Sequence, residues 1–115
     1  MVTIYHNPRC SKSRETLALL QNRGVAPQVL LYLETPPDLA TLKTLLKQLG
    51  MNSARELMRN KEEIYKTLQL ADATLSETQL MQAMIDNPKL IERPIVVAGG
   101  QARIGRPPEQ VLEIL

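Results

Sequence analysis

Phenylalanine and tryptophan are missing from this 115-residue sequence, and tyrosine occurs only three times. That scarcity removes the stacking platforms on which single-stranded nucleic acids are usually held and leaves an aliphatic core. There is one cysteine, Cys10, and one histidine, His6. A lone cysteine excludes an internal disulfide, suits a reducing compartment, and obliges any dithiol chemistry to borrow its second sulfur from another molecule. One His with one Cys also makes a poor zinc site, so neither a metal nor a bound cofactor is expected. No apolar run is long enough to span a bilayer, and Met1 to Tyr5 lacks the basic region and long apolar stretch of a secretory signal. A cytoplasmic protein without membrane attachment is expected. The net charge of +2 is too small to point to a nucleic-acid backbone as partner, although positive charge can still be concentrated locally.

What is present is ordinary for a globular chain: 43% hydrophobic and 23% charged residues, enough length for one domain at positions 1–115 and, by a weak preference, a monomer. Val2 to Tyr5 reads as a strand, and His6-Asn7-Pro8-Arg9-Cys10 as a turn. Ser11 to about Arg23 reads as a helix stopped by Gly24. A second apolar run, Gln28 to Leu33, completes a βαβ unit in which parallel pairing is expected. Asp38 is placed to cap a helix whose leucines at 39, 42, 45, 46 and 49 keep helical period up to Gly50. Ser53 marks a short helix through Met58, and Ser76 with Gln79 has the form of a capping box before a helix that ends at Asn87-Pro88. Ile95 to Ala98, Gly99-Gly100 and Gln101 to Ile104 read as a hairpin, after which Pro107-Pro108 opens a last helix. The order βαβ, helices, ββα is that of an α/β, thioredoxin-like domain with a helical insertion at about 38–88 between its halves, an analogy that does not by itself fix function.

Cys10 stands where a strand gives way to a helix, so unpaired N–H groups and the positive end of the helix dipole face its sulfur and favour the thiolate. A buried, inert thiol on a core strand is the alternative, and the helix-start context argues against it. His6 is four residues away across the turn, either beside the sulfur as a cation or proton carrier, or bound to backbone at the strand end. Among eight arginines, Arg93 and Arg106 each precede a proline at a structural corner. Arginine's planar fork suits tetrahedral oxyanions. In thioredoxin-like domains the X-Pro bond before the third strand is often cis and lies against the reactive cysteine, which would bring Arg93 within reach of Cys10.

Four separated motifs, His6-Asn7-Pro8-Arg9-Cys10, Tyr32-Leu33-Glu34-Thr35-Pro36-Pro37, Leu57-Met58-Arg59 and Arg93-Pro94-Ile95-Val96-Val97, resemble in order the glutaredoxin-coupled arsenate reductase family. The resemblance runs over nearly the whole chain. It implies that Cys10 attacks arsenic, that Arg59, Arg93 and Arg106 hold the oxyanion, and that His6 lowers the thiol pKa. It further implies a thioarsenate on Cys10, glutathione as co-substrate, reduction by glutaredoxin and release of arsenite. Ser11-Lys12-Ser13 departs from the Gly-Thr-Ser of well-known members; Lys12 adds charge and bulk, and the Ser13 hydroxyl is placed to donate to the thiolate. The family also resembles Spx-type regulators, which contact RNA polymerase and sense redox state through a Cys-x-x-Cys pair. Ser13 occupies the second position of that pair here, which removes the disulfide switch. A glutathione-dependent reductase of another acceptor is the third alternative.

Overall fold

Strand β1 (Val2–Tyr5) feeds helix α1 (Ser11–Asn22), and β2 (Gln28–Leu30) returns parallel to β1, with Ile4 opposite Val29, in a computed structural model that describes residues 1–115. α1 stops where Gly24 turns left-handed at φ +77°. β2 is shorter than the apolar run suggests. The carbonyl of Leu31 accepts from both Glu34 N–H and Thr35 N–H at 3.0 Å, so the chain turns there, ahead of Pro36-Pro37.

The chain resolves into two compact units. The first comprises Met1–Thr35 with Arg93–Leu115, and the second is Pro36–Glu92, which contains the segment expected as an insertion. In the first unit, β3 (Ile95–Ala98) and β4 (Gln101–Ile104) complete a four-stranded sheet in the order β2-β1-β3-β4, with β3 antiparallel to both neighbours. Gly99 and Gly100 make the hairpin turn at φ +59° and +79°, the doubly positive pair that a two-residue turn requires. Ile4, Leu20, Val96 and Val111 are fully buried together, joining the sheet, α1 and the C-terminal segment into one core. Each such side chain contributes about 1.5–3 kcal/mol by leaving water. This is a mixed α/β, thioredoxin-like arrangement. The terminal segment Pro108–Ile114 is a 3-10 helix rather than the α-helix expected from its sequence, and the three-residue repeat puts Val111 and Ile114 on one side, toward that core.

The second unit is helical. α2 (Leu39–Leu49) begins at Asp38, whose carboxylate accepts from Thr41 N–H at 2.8 Å, and ends at Gly50 with φ +73°. Ser53 and Glu56 form a capping box on a 3-10 turn over Ala54–Leu57, so the helix expected through Met58 is a single tightened turn. α3 (Glu63–Thr67) carries no buried residue, which is why no apolar period announces it. α4 (Glu77–Asp86) starts from the Ser76/Gln79 capping box and buries Leu80, Met81 and Met84. No helix in the protein is long and apolar enough to cross a membrane.

Candidate active site

Cys10 is the N-cap residue of α1, with extended backbone at φ −96° and ψ 123°. Its own N–H donates to the Asn7 carbonyl at 3.0 Å, and its carbonyl accepts from Arg14 N–H at 3.0 Å, so the residue is fixed on both sides. The turn that delivers it is built by Asn7, whose Oδ1 accepts from Arg9 N–H at 3.0 Å, and braced by Arg14, whose Nη1 donates to the Pro8 carbonyl at 2.8 Å. The Asn-Pro pair announced a turn; the Arg14 brace carries no local sequence signal.

Burial pushes the Cys10 thiol up, but the backbone N–H of Ser13, the Arg93 guanidinium, the backbone N–H of Lys12 and the Arg106 guanidinium together hold it below its ordinary value. Arg106 places Nη2 3.6 Å from Sγ. Its Nε donates to the Arg93 carbonyl at 2.8 Å, which ties the two arginine positions together. Both precede cis peptide bonds, Arg93-Pro94 and Arg106-Pro107. The thiolate expected from the helix start is therefore favoured by two main-chain donors and two guanidinium groups.

His6 is tied to the first turn of α1. It is buried, and its Nδ1 lies 2.6 Å from Ser13 Oγ, which also accepts from Asn7 N–H at 3.0 Å. Burial first and then the charge of Arg14 lower its pKa, so the imidazole is neutral at pH 7 rather than a cation beside the sulfur. Ser13 likewise differs from expectation. Its hydroxyl is engaged by His6 and Asn7, and the group it turns to the sulfur is its backbone N–H.

The first unit thus brings together Cys10, His6, Arg93 and Arg106. Arg59 belongs to the second unit, where its N–H donates to the Leu90 carbonyl at 2.7 Å and its Nη1 lies 3.6 Å from Glu62 Oε1. One contact near the site escaped the sequence altogether. Gly105 sits where a Cβ would strike the Thr16 hydroxyl and come within 2.9 Å of Pro94 Cγ. Thr16 is fully buried on α1, its hydroxyl donating to the Lys12 carbonyl at 2.8 Å. The absence of a side chain at position 105 lets the end of β4 settle on α1 one residue before Arg106. Beside the turn, a cavity of about 310 Å³ is lined by His6, Pro8, Arg9, Leu31, Leu33 and Glu34.

The sulfur at the start of α1 thus lies with two arginines that each precede a cis-proline. The model of the ArsC family matches residues 5–114. This chain belongs to the ArsC family. Over 114 residues it is 75% identical to the uncharacterized protein YfgD of Escherichia coli K12, spanning 99% of this chain and 96% of that one. Over 114 residues it is 53% identical to an arsenate reductase of Haemophilus influenzae, spanning 99% and 98%. Among solved structures, an arsenate reductase from Vibrio cholerae superposes with a TM-score of 0.97 at 67% identity, covering 99% of this chain and 97% of that one. Within the ArsC family, the segment that carries Cys10 and the segment that carries Arg93 and Arg106 both lie inside the matched region.

Proposed function

We propose that this protein reduces arsenate to arsenite, with Cys10 as the nucleophile and with glutathione and a glutaredoxin supplying the electrons. The observation that carries the reading is the sulfur of Cys10 at the start of α1, 3.6 Å from the Arg106 guanidinium and lowered in pKa by Arg93 as well. Thiolate is the nucleophilic form of cysteine, and two fixed guanidinium groups match an incoming tetrahedral oxyanion. The names borne by the relatives from Haemophilus influenzae and Vibrio cholerae point to the same substrate.

In the first step Sγ bonds to arsenic and one arsenate oxygen leaves as water, with Arg93 and Arg106 balancing the charge. Glutathione then bonds to the same arsenic as a second oxygen leaves, and arsenic stays at +5. The glutaredoxin thiolate attacks the glutathione sulfur; the arsenic–sulfur bond breaks, its electron pair reduces arsenic to +3, and a mixed disulfide leaves. Water releases arsenite from Cys10. The scheme uses one protein sulfur, in accord with the single cysteine, and it belongs in a reducing cytoplasm. The Spx-type alternative has no pair of cysteines to work with.

The test is arsenite formation coupled to NADPH oxidation through glutathione reductase, with glutathione and glutaredoxin present. Cys10→Ser should abolish turnover and Arg93→Lys should weaken it sharply. Full turnover by the Cys10→Ser protein would remove the nucleophile assignment. Comparing arsenate with other oxyanions and with glutathionylated peptides in the same assay identifies the preferred acceptor.

A further inference from the structure

Thr16 is a fully buried polar side chain on α1 that the chemistry above does not use. Its hydroxyl lies 2.8 Å from the Lys12 carbonyl, and because a carbonyl oxygen can only accept, the hydroxyl donates. A threonine inside a helix often bonds back in this way to the carbonyl four residues earlier. Thr44 and Thr67 do so in this chain, to Ala40 and Glu63, both at 3.1 Å and both on exposed surface. For those two the bond satisfies a hydroxyl that water could satisfy equally.

Two things set Thr16 apart. It is out of water, so its hydrogen bond acts in a low local dielectric. The carbonyl it reaches also belongs to the peptide group joining Lys12 to Ser13, the same group whose N–H bonds to the Cys10 sulfur. The C=O and N–H of one peptide are conjugated, so a donor at the oxygen polarises the unit and makes its N–H a stronger donor in turn. Burial opposes the Cys10 thiolate, and the Ser13 N–H is the largest of the groups that favour it. The neighbouring segment leaves the hydroxyl on this one acceptor: a side chain at Gly105 would strike it, and the Gly105 N–H is engaged with the Pro94 carbonyl at 2.9 Å.

We infer that Thr16 is a positioning residue for the nucleophile, its hydroxyl acting through the Lys12–Ser13 peptide to strengthen the hydrogen bond that the Ser13 N–H makes to Cys10 Sγ. The relay runs from Thr16 O–H to Lys12 C=O, and from Ser13 N–H to the sulfur. No proton moves along it and no covalent bond changes. It requires Cys10 to be the nucleophile and is indifferent to the acceptor that Cys10 attacks, so it stands or falls apart from the arsenate reading.

The pH dependence of Cys10 alkylation by iodoacetamide tests it with no oxyanion present. Thr16→Ala and Thr16→Ser both lose the methyl group and differ only in the hydroxyl. The alanine protein should ionise at higher pH, with about two- to threefold less thiolate at a fixed pH below the midpoint, the size expected when one bond of a mutually polarised pair is lost. The serine protein should titrate with the wild type. Thr16→Val, which lacks the donor but keeps the bulk, should follow the alanine protein and replaces it where alanine leaves too unstable a fold to titrate. In proton NMR at a pH where every variant holds the thiolate, the Ser13 amide resonance should move upfield in the proteins without the hydroxyl. Val111→Ala removes core packing in the same unit, and Thr44→Val removes a back-bond elsewhere; both should leave the Cys10 midpoint in place. Equal midpoints for the alanine and serine proteins, or a rise in Val111→Ala as large as that in Thr16→Ala, would overturn the relay. Wild-type protein that shows this titration pattern yet forms no arsenite in the coupled assay would overturn the arsenate reading and support the relay.

Discussion

Arg106 spans two partners at once: Nη2 lies 3.6 Å from Cys10 Sγ while Nε donates to the Arg93 carbonyl at 2.8 Å. The guanidinium is therefore aimed by the backbone of the other arginine, and its fork is held in one orientation. Replacing Arg106 by Lys keeps the charge but cannot make both contacts. Arg106→Lys should lower kcat/KM for arsenate by about 10²–10³-fold, the range seen when one positioned donor to a developing oxyanion is lost. Steady-state kinetics with arsenate as the varied substrate measure it.

Ser13 separates main-chain from side-chain contributions. Ser13→Ala removes the hydroxyl that holds His6 Nδ1 and Asn7 N–H, and leaving such groups unpaired costs roughly 1–3 kcal/mol. The Ser13 N–H that favours the thiolate survives the change. Urea denaturation should show the lost stability, and the pH profile of Cys10 alkylation by iodoacetamide should keep its midpoint. A midpoint moved upward would mean that the hydroxyl, not the amide, supports the sulfur.

Gly105→Ala drives a methyl group into Thr16 and Pro94. Overpacking of this kind costs typically about 1–3 kcal/mol, and here it also displaces the residue before Arg106. Denaturation midpoint and kcat/KM should fall together. Thr16→Ala clears the space, so the double variant should recover part of both losses, and a double-mutant cycle on the four proteins reads the coupling.

The imidazole of His6 gives a pH signature. Its folded-state pKa lies below the ordinary value of 6.5 because of burial and Arg14. Protonation is thus easier in the unfolded chain, so the stabilising contribution is complete above about pH 6.5 and is lost as pH falls through the lower folded value. Denaturation midpoints measured from pH 7.5 downward should decline for the wild type, and His6→Gln should lack that part of the decline.

Much of the fold was legible because its boundaries are chemical. Gly24 and Gly50 mark helix ends, Asp38 and the Ser76/Gln79 pair mark helix starts, and Gly99-Gly100 marks the hairpin. The Cys10 position was readable for the same reason, as a strand-to-helix junction. What escaped was of two kinds. Side-chain inventory assigns Ser13 a hydroxyl role, whereas the sulfur meets its peptide N–H, a group every residue but proline possesses. Contacts between distant segments, such as Gly105 with Thr16, leave no trace in local spacing. Arg59 was singled out only through the family resemblance carried by Leu57-Met58-Arg59, and its own segment offers no hydrophobic period that marks it.

Two of the four groups that favour a charged sulfur at Cys10 are main-chain amides, those of Lys12 and Ser13. Amides are indifferent to the side chain they carry, so the nucleophile tolerates drift in its immediate neighbours. Lys12 can become threonine or glutamine with the anion still held, whereas proline at either position deletes a donor outright. The reactive centre is in that sense written into the backbone, and the side chains of Lys12 and Ser13 are free to serve other ends.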